Sequence, residues 1–270
     1  MIFFCYFYII IITTIIIKFI PSLITPADFD GDEINLHLPQ DHLARAEGYH
    51  IVHADHQYIV PTDGKPIRGL IQDHVFGATL LTRRDAFLTR AQFTHLVYLA
   101  CAPTRAVAAD AFKSPLPPPA VLKPRPMWTG KQVVGAVLGW LTRGMPPMTM
   151  QCGGKVPAAY WGKGNHEATL IVRGNDVLAG VIDKAQFGKN GLVHAVHELY
   201  GDEAAGKLLA CFSRLFTGYL QTFGFTCGID DALLVGEAEG RRAQLLQGAE
   251  VRERGGEAGQ RVRVRVGWLV

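Results

Sequence analysis

Apolar positions in this chain recur with two different spacings, and each predicts a set of elements. The clearest helical stripe is Leu208, Leu209, Phe212, Leu215, Phe216, Tyr219, Leu220 and Phe223, which predicts a helix over about 202–223. Gly224 supplies its stop. Two other helices carry their own start signals. Thr89 and Gln92 have capping-box spacing ahead of Phe93, Leu96, Val97 and Ala100. Thr129 and Gln132 repeat the device and open a helix through about Leu141. A strand-period pair, Leu170–Val172 and Val177–Ile182, flanks Arg173-Gly174-Asn175-Asp176 and predicts a hairpin. Residues 27–80 are cut into short apolar stretches by Pro39, Pro61, Gly64, Pro66 and Gly69, which reads as short strands and loops. Gln72 and Asp73 follow and open a helix, with Asp73 as a capping residue.

Three segments break these patterns. Residues 1–24 begin MIFFCYFYIIIITTIII, with no charge before Lys18, nearly long enough to span a bilayer. No basic start or small-residue cleavage site marks a signal peptide. The isoleucine richness reads as non-native translated sequence; a membrane segment and a buried strand or helix are the other readings. Residues 115–126 hold six prolines and read as a stiff connector. Residues 240–270 are rich in Arg, Glu and Gly; RRAQLLQGAEV has a helical reading, and RVRVRV at 261–266 alternates at strand period. That tail is either solvated or touches phosphates.

Composition narrows the classes. A length of 270 residues allows one or two domains with a sizeable core. A net charge of +3 and a pI near 8.6 do not by themselves indicate nucleic-acid binding. Five cysteines, at 5, 101, 152, 211 and 227, form no C-x-x-C pair, so neither a zinc ribbon nor a disulfide framework is indicated. A reducing, intracellular setting fits that usage.

The candidate chemistry sits in ADFDGDEINLHLPQ at residues 27–40, where Asp28, Asp30 and Asp32 occupy every second position. Carboxylates this close repel one another unless a cation lies between them, and hard oxygen ligands suit Mg²⁺. A straight strand would spread the outer pair by about 13 Å, too far for one ion. The chain must bend, and Gly31, lacking a Cβ, permits the bend. An EF-hand is a poor match, because the glycine comes early and position twelve is Pro39. A solvated Asp/Gly turn is the plain alternative.

This stretch resembles the metal-binding signature of the largest subunit of multisubunit DNA-dependent RNA polymerases, whose D-F-D-G-D loop holds the catalytic Mg²⁺. The similarity continues through RAEGYHIVHADHQYIVPTDGKPIRGLIQDHVFGATLLTRRDAF (45–87), VLKPRPMWTGKQVV (121–134), VLAGVIDKAQFGKNGLVHAVHELYG (177–201) and LFTGYLQTFGFTCGIDD (215–231). QYIVPTDGKPIRGLIQDH and WTGKQVV look most like the RNA polymerase I version. The resemblance implies an α+β fold: the end of a double-psi β-barrel carrying the metal loop, then a mixed helix/strand pore-funnel domain. It divides the chain into 25–114 (barrel end and start of the pore domain), the connector 115–126, the pore-funnel domain 127–239 and the tail 240–270. It implies Asp28, Asp30 and Asp32 as catalytic metal ligands, Mg²⁺ as cofactor, and template-directed nucleotidyl transfer in the nucleus and nucleolus. The implied partners are DNA template, nascent RNA, nucleoside triphosphates and the second-largest subunit. Two departures stand out. Pro26 replaces the Asn that precedes the family motif, and the family's upstream clamp and downstream bridge helix and trigger loop are missing. The chain therefore reads as a fragment or a faulty gene model, and a non-catalytic fragment that binds partner subunits is the rival reading. A membrane-anchored, calcium-binding protein is the third.

The remaining constellations carry less. His53/His56 and His194/His197 each have i, i+3 spacing, but neither pair shows a third metal ligand, so surface or packed histidines are expected. Gly130-Lys131 lacks the rest of a phosphate loop and reads as a helix start. Arg45 and Glu47 have the spacing of a local pair, with no catalytic role.

Overall fold

The computed structural model describes residues 39–53, 56–101, 116–162, 164–234 and 236–254. Two compact units divide the chain, Met1–Gly224 and Phe225–Val270.

The first unit is organised by one long helix, α6 (Asp202–Phe223). Its apolar stripe is wider than one face: Ala205, Leu208, Phe212, Leu215 and Phe216 are fully buried, and Ala204, Leu209, Cys211 and Tyr219 nearly so. A helix buried around so much of its circumference needs partners on several sides. It has four: α2 (Asp73–Thr82), α3 (Arg90–Cys101), α4 (Gly130–Leu141) and α5 (Leu192–Tyr200). Each fully buried Leu or Phe contributes about 1.5–3 kcal/mol.

Two of the crossings are close approaches at glycine. A Cβ at Gly77 of α2 would lie 3.0 Å from the Phe216 carbonyl oxygen, and one at Gly218 of α6 would lie 2.7 Å from Leu99 Cδ1 of α3. The α2–α6 contact also encloses His74, whose Nε2 lies 3.0 Å from Ser213 Oγ and 3.4 Å from Thr217 Oγ1. Burial pushes the His74 pKa below the ordinary histidine value and keeps the ring neutral. Arg214 reaches from α6 to the end of α3. Its Nη2 donates to the Ala100 carbonyl at 2.7 Å and its Nε to Leu99 and Ala100 at 3.2 Å. These bonds satisfy carbonyls that a helix end leaves without partners.

Both capping boxes form as the sequence predicts. Thr89 N–H donates to Gln92 Oε1 and Gln92 N–H to Thr89 Oγ1, and the same exchange joins Thr129 and Gln132. A two-residue pair, β1 (Phe87–Leu88) with β2 (Trp128–Thr129), sets α3 beside α4. The proline segment between those helices is bonded to α4 and its approach: Trp128 Nε1 donates to the Pro117 carbonyl and Gln132 Nε2 to the Pro118 carbonyl, both at 2.8 Å. Gly130 starts α4 against α2, where any Cβ would sit 1.9 Å from the Leu81 carbonyl oxygen.

The second layer is an antiparallel sheet of β3 (Met150–Gly153), β4 (Thr169–Arg173) and β5 (Asp176–Ala179), with β4 central. Leu170 and Val172 of β4 point into the core. The β4–β5 hairpin is tighter than the four-residue turn read from the sequence. Arg173 pairs with Asp176, so only Gly174 and Asn175 turn the chain, both at positive φ (58° and 74°). Asn175 then ties the hairpin to α4 and β3. Its Oδ1 accepts from the Met148 N–H and its Nδ2 donates to Thr142 Oγ1, both at 2.8 Å. The strand expected through Ile182 ends at Ala179. Gly180 (φ 90°) turns the chain, and Ile182 leaves the sheet for α2. There Ile182 N–H donates to Thr82 Oγ1 at 3.0 Å, and Thr79 Oγ1 donates to the Ile182 carbonyl at 3.3 Å.

The reading of residues 27–80 as short strands and loops is corrected within the described part. α1 (His42–His50) and α2 are helices, and the strand-like pairing there is one isolated bridge, Ile59 with Pro66. Asp73 does not cap α2 with its side chain; it occupies the first turn, after a Gln72 at φ 49°. The barrel end and the metal loop lie outside the described residues. No helix among the described residues is long and apolar enough to cross a membrane. In the second unit, a 3-10 turn at Ile229–Ala232 precedes α7 (Gly236–Arg254), which contains the predicted RRAQLLQGAEV helix.

Two outcomes test this packing. Gly130→Ala should destabilise the chain by about 1–3 kcal/mol, because a backbone carbonyl must move, as read by urea denaturation. A neutral buried His74 gives stability that is complete above the ordinary histidine pKa of about 6.5 and lost as pH falls through and below it, since the unfolded chain then binds a proton that the folded ring resists. The stability difference between wild type and His74→Gln, measured by thermal unfolding from pH 8 to 5, should therefore shift against the wild type with acidification.

Candidate functional site

Asp28, Asp30 and Asp32 lie outside the described residues. The structure shows what the chain builds directly after them. From Pro39 it enters α1, turns at Ile51–Val52, and then joins the α5–α6 corner through a short anchored segment.

Tyr58 is the anchor. Its side chain is buried, its ring stacks on His197 of α5 at 5.3 Å, and the Arg68 guanidinium lies 5.4 Å from the centre of the Tyr58 ring. The chain leaves and returns beside it: Ile67 N–H donates to the Tyr58 carbonyl at 2.8 Å, and Val60 N–H to the Lys65 carbonyl at 2.9 Å. Lys189 Nζ donates to the Asp63 carbonyl at 3.2 Å, holding the tip of this loop to the body.

The histidine pairs singled out from spacing meet here in an unexpected way. His56 Nδ1 lies 3.0 Å from Asp202 Oδ2, and His197 Nε2 lies 2.8 Å from Asp202 Oδ1. One member of each pair thus converges on a single carboxylate. The His53 ring lies 5.3 Å from that of His56, while His194 Nε2 faces Glu198 at 3.5 Å. Asp202 is in the first turn of α6, where a helix N-terminus favours negative charge. Its carboxyl is held below the usual range, first by the His56 hydrogen bond; burial opposes this, and the charge and hydrogen bond of His197 add to the lowering. Gly201 (φ 85°) makes the corner that brings His197 and Asp202 together. Spacing alone could not reveal Asp202, which is 146 residues from His56. Among the described residues, no group of three His, Cys, Asp or Glu has metal-site geometry.

Lys131 has the helix-start role read for it, with a partner that the sequence did not show. Its Nζ lies 2.6 Å from Glu167 Oε1, and the two side chains are 11% and 7% exposed. Glu167 Oε2 and Trp161 Nε1 are buried with no hydrogen-bond partner among the described residues. Arg45 and Glu47 both lie on α1. Among the described cysteines, all free thiols, Cys101 and Cys211 are buried, Cys152 is half-buried and Cys227 is exposed. Burial pushes Cys101, between α3 and α6, up to about 12, while Cys152 donates its S–H to Gln186 Oε1 at 2.6 Å.

Comparison with known proteins places this architecture. Residues 57–232 match the model of RNA polymerase Rpb1, domain 3, and residues 7–54 match that of Rpb1, domain 2. The chain is 43% identical over 261 residues to DNA-directed RNA polymerase I subunit 1 of Arabidopsis thaliana, covering 83% of this chain and 16% of that protein. It is 44% identical over 231 residues to the Dictyostelium discoideum DNA-directed RNA polymerase I subunit rpa1, covering 83% of this chain and 14% of that one. It is 42% identical over 224 residues to the Saccharomyces cerevisiae subunit RPA190, covering 82% and 13%. The chain thus spans about one-seventh of the length of these relatives. With the domain 3 match running from the Tyr58 anchor through α6, the chain belongs to the RNA polymerase Rpb1 family, that of the polymerase largest subunits.

Proposed function

We propose that the chain is the catalytic-centre segment of the largest subunit of a DNA-directed RNA polymerase, of the polymerase I type. The observation that carries this reading is the order of two features. The Asp28-x-Asp30-Gly31-Asp32 loop falls within the stretch similar to domain 2, and the domain 3 body follows it directly.

The donor set fits the cation. Three carboxylates from five residues offer hard, negatively charged oxygens and no sulfur or imidazole, which favours Mg²⁺ over softer metals. When bound, the ion supplies charge neutralisation at the RNA 3′-hydroxyl and the α-phosphate of the incoming nucleoside triphosphate. On this reading Asp28, Asp30 and Asp32 would hold the ion together. Gly31 permits the bend that closes them together. Downstream, α1 and the Tyr58 anchor join the loop to the helical body. Catalysis of this kind is largely positioning and electrostatics, so a rigid attachment matters as much as the ligands. DNA template, nascent RNA and the second-largest subunit complete the working site, in the nucleolus for an enzyme of this type.

In the assembled polymerase, Asp30→Ala in this subunit should lower RNA extension by about 10³-fold or more, the loss expected when a metal ligand worth several kcal/mol is removed. Subunit assembly, followed by co-purification, should be unchanged. Extension at the wild-type rate would refute the assignment.

A further inference from the structure

Among the described residues, one face of α4 is left uncovered beside an open sheet edge. Among the described residues β5 pairs only with β4, so its other edge carries unpaired backbone N–H and C=O groups. Along that edge runs a groove of about 700 Å³, bounded by Pro117 on one side and by Val177 and Leu178 on the other. Its floor is the small-residue face of α4, Gly135, Ala136 and Gly139. A neighbouring cavity of about 400 Å³ shares Val177 and Leu178 with it and is lined further by Arg84, Lys131 and Glu167. From Lys131 to Trp140 the floor is about 14 Å long, which accommodates roughly four residues of extended chain.

We propose that this groove seats an extended peptide strand of a partner subunit, added to the free edge of β5 and carrying an Asp or Glu where it passes Arg84. Three features select that occupant. The edge of β5 offers the alternating donors and acceptors that an added strand requires, and Leu178, 59% exposed, offers an apolar contact beside them. Gly139 keeps the floor low enough for a backbone to lie close, since a Cβ there would meet no atom within 4 Å, whereas Gly135 is packed against Asn175 and Asp176 of the hairpin. At the neighbouring cavity the charges are unequally satisfied. Lys131 is held by Glu167 and Arg83 by Asp85 at 2.7 Å, whereas Arg84 has no partner among the described residues. A carboxylate is its complement. Glu167 Oε2, without a donor, is in the same wall. A nucleic acid strand would need repeated phosphate contacts, and among the described residues this largely apolar surface offers a single cation without a partner, Arg84 of the neighbouring cavity.

The test uses the purified, assembled polymerase with p-benzoylphenylalanine in place of Leu178, irradiated and mapped by mass spectrometry. A cross-link to one segment of a partner subunit that contains Asp or Glu is the expected result. Gly139→Phe, which fills the groove from a position with free space, should cut that cross-link at least tenfold while leaving the melting temperature of the enzyme unchanged. Arg84→Glu should weaken it as well. The proposal fails if the photoproduct is to nucleic acid or to this same chain, if no cross-link forms, or if its yield is undiminished in Gly139→Phe.

Discussion

The burial of α6 on several sides at once is the constraint to which the rest of the first unit answers. A helix with so wide an apolar surface cannot be stable at an edge, and four other helices exist in the contacts they make with it. Their approach distances follow from its surface. Where α2 comes closest it has Gly77, and where α3 comes closest α6 itself has Gly218. Among the described residues, two polar side chains enter this interface with partners. His74 meets Ser213 and Thr217, and Arg214 takes the end of α3. Leaving either without partners would cost about 1–3 kcal/mol or more, which is why they sit at the margins of the apolar stripe.

The sheet joins this helical body through a few directional bonds rather than through broad apolar contact alone. Asn175 serves the turn of the hairpin, the approach to β3 and the end of α4. Lys131 and Glu167 join the start of α4 to the segment that precedes β4. The ion pair is nearly dry, so its value lies in fixing a register, since attraction and desolvation largely offset each other there. Such bonds position elements; the apolar core stabilises them.

Local signals were the legible ones. The two capping boxes, the α6 stripe and the Gly-Asn turn all act within a few residues, so α3, α4, α6 and the hairpin could be read from the sequence. α5 was not, because its nine residues carry three fully buried positions between two glycines, too short a stripe to distinguish. α1 buries no side chain fully and so has no apolar periodicity to find. β3, Met-Gln-Cys-Gly, lacks β-branched residues and exists because β4 pairs with it. The same division holds at the site. The aspartate loop announces itself by spacing. The union of His56, His197 and Asp202 depends on a corner at Gly201 and on contacts across 146 residues, which no local pattern encodes.

The double hold on Ile182 has a mechanical consequence. Both backbone polar groups of this one residue are bonded to threonines of α2, immediately after Gly180 ends the edge strand. Pulling on the hairpin therefore loads α2 through the peptide groups of Ile182 and the short side chains of Thr79 and Thr82. Sheet and helix act as one lever, and a push at the outer strand is felt where α2 leans on the central helix.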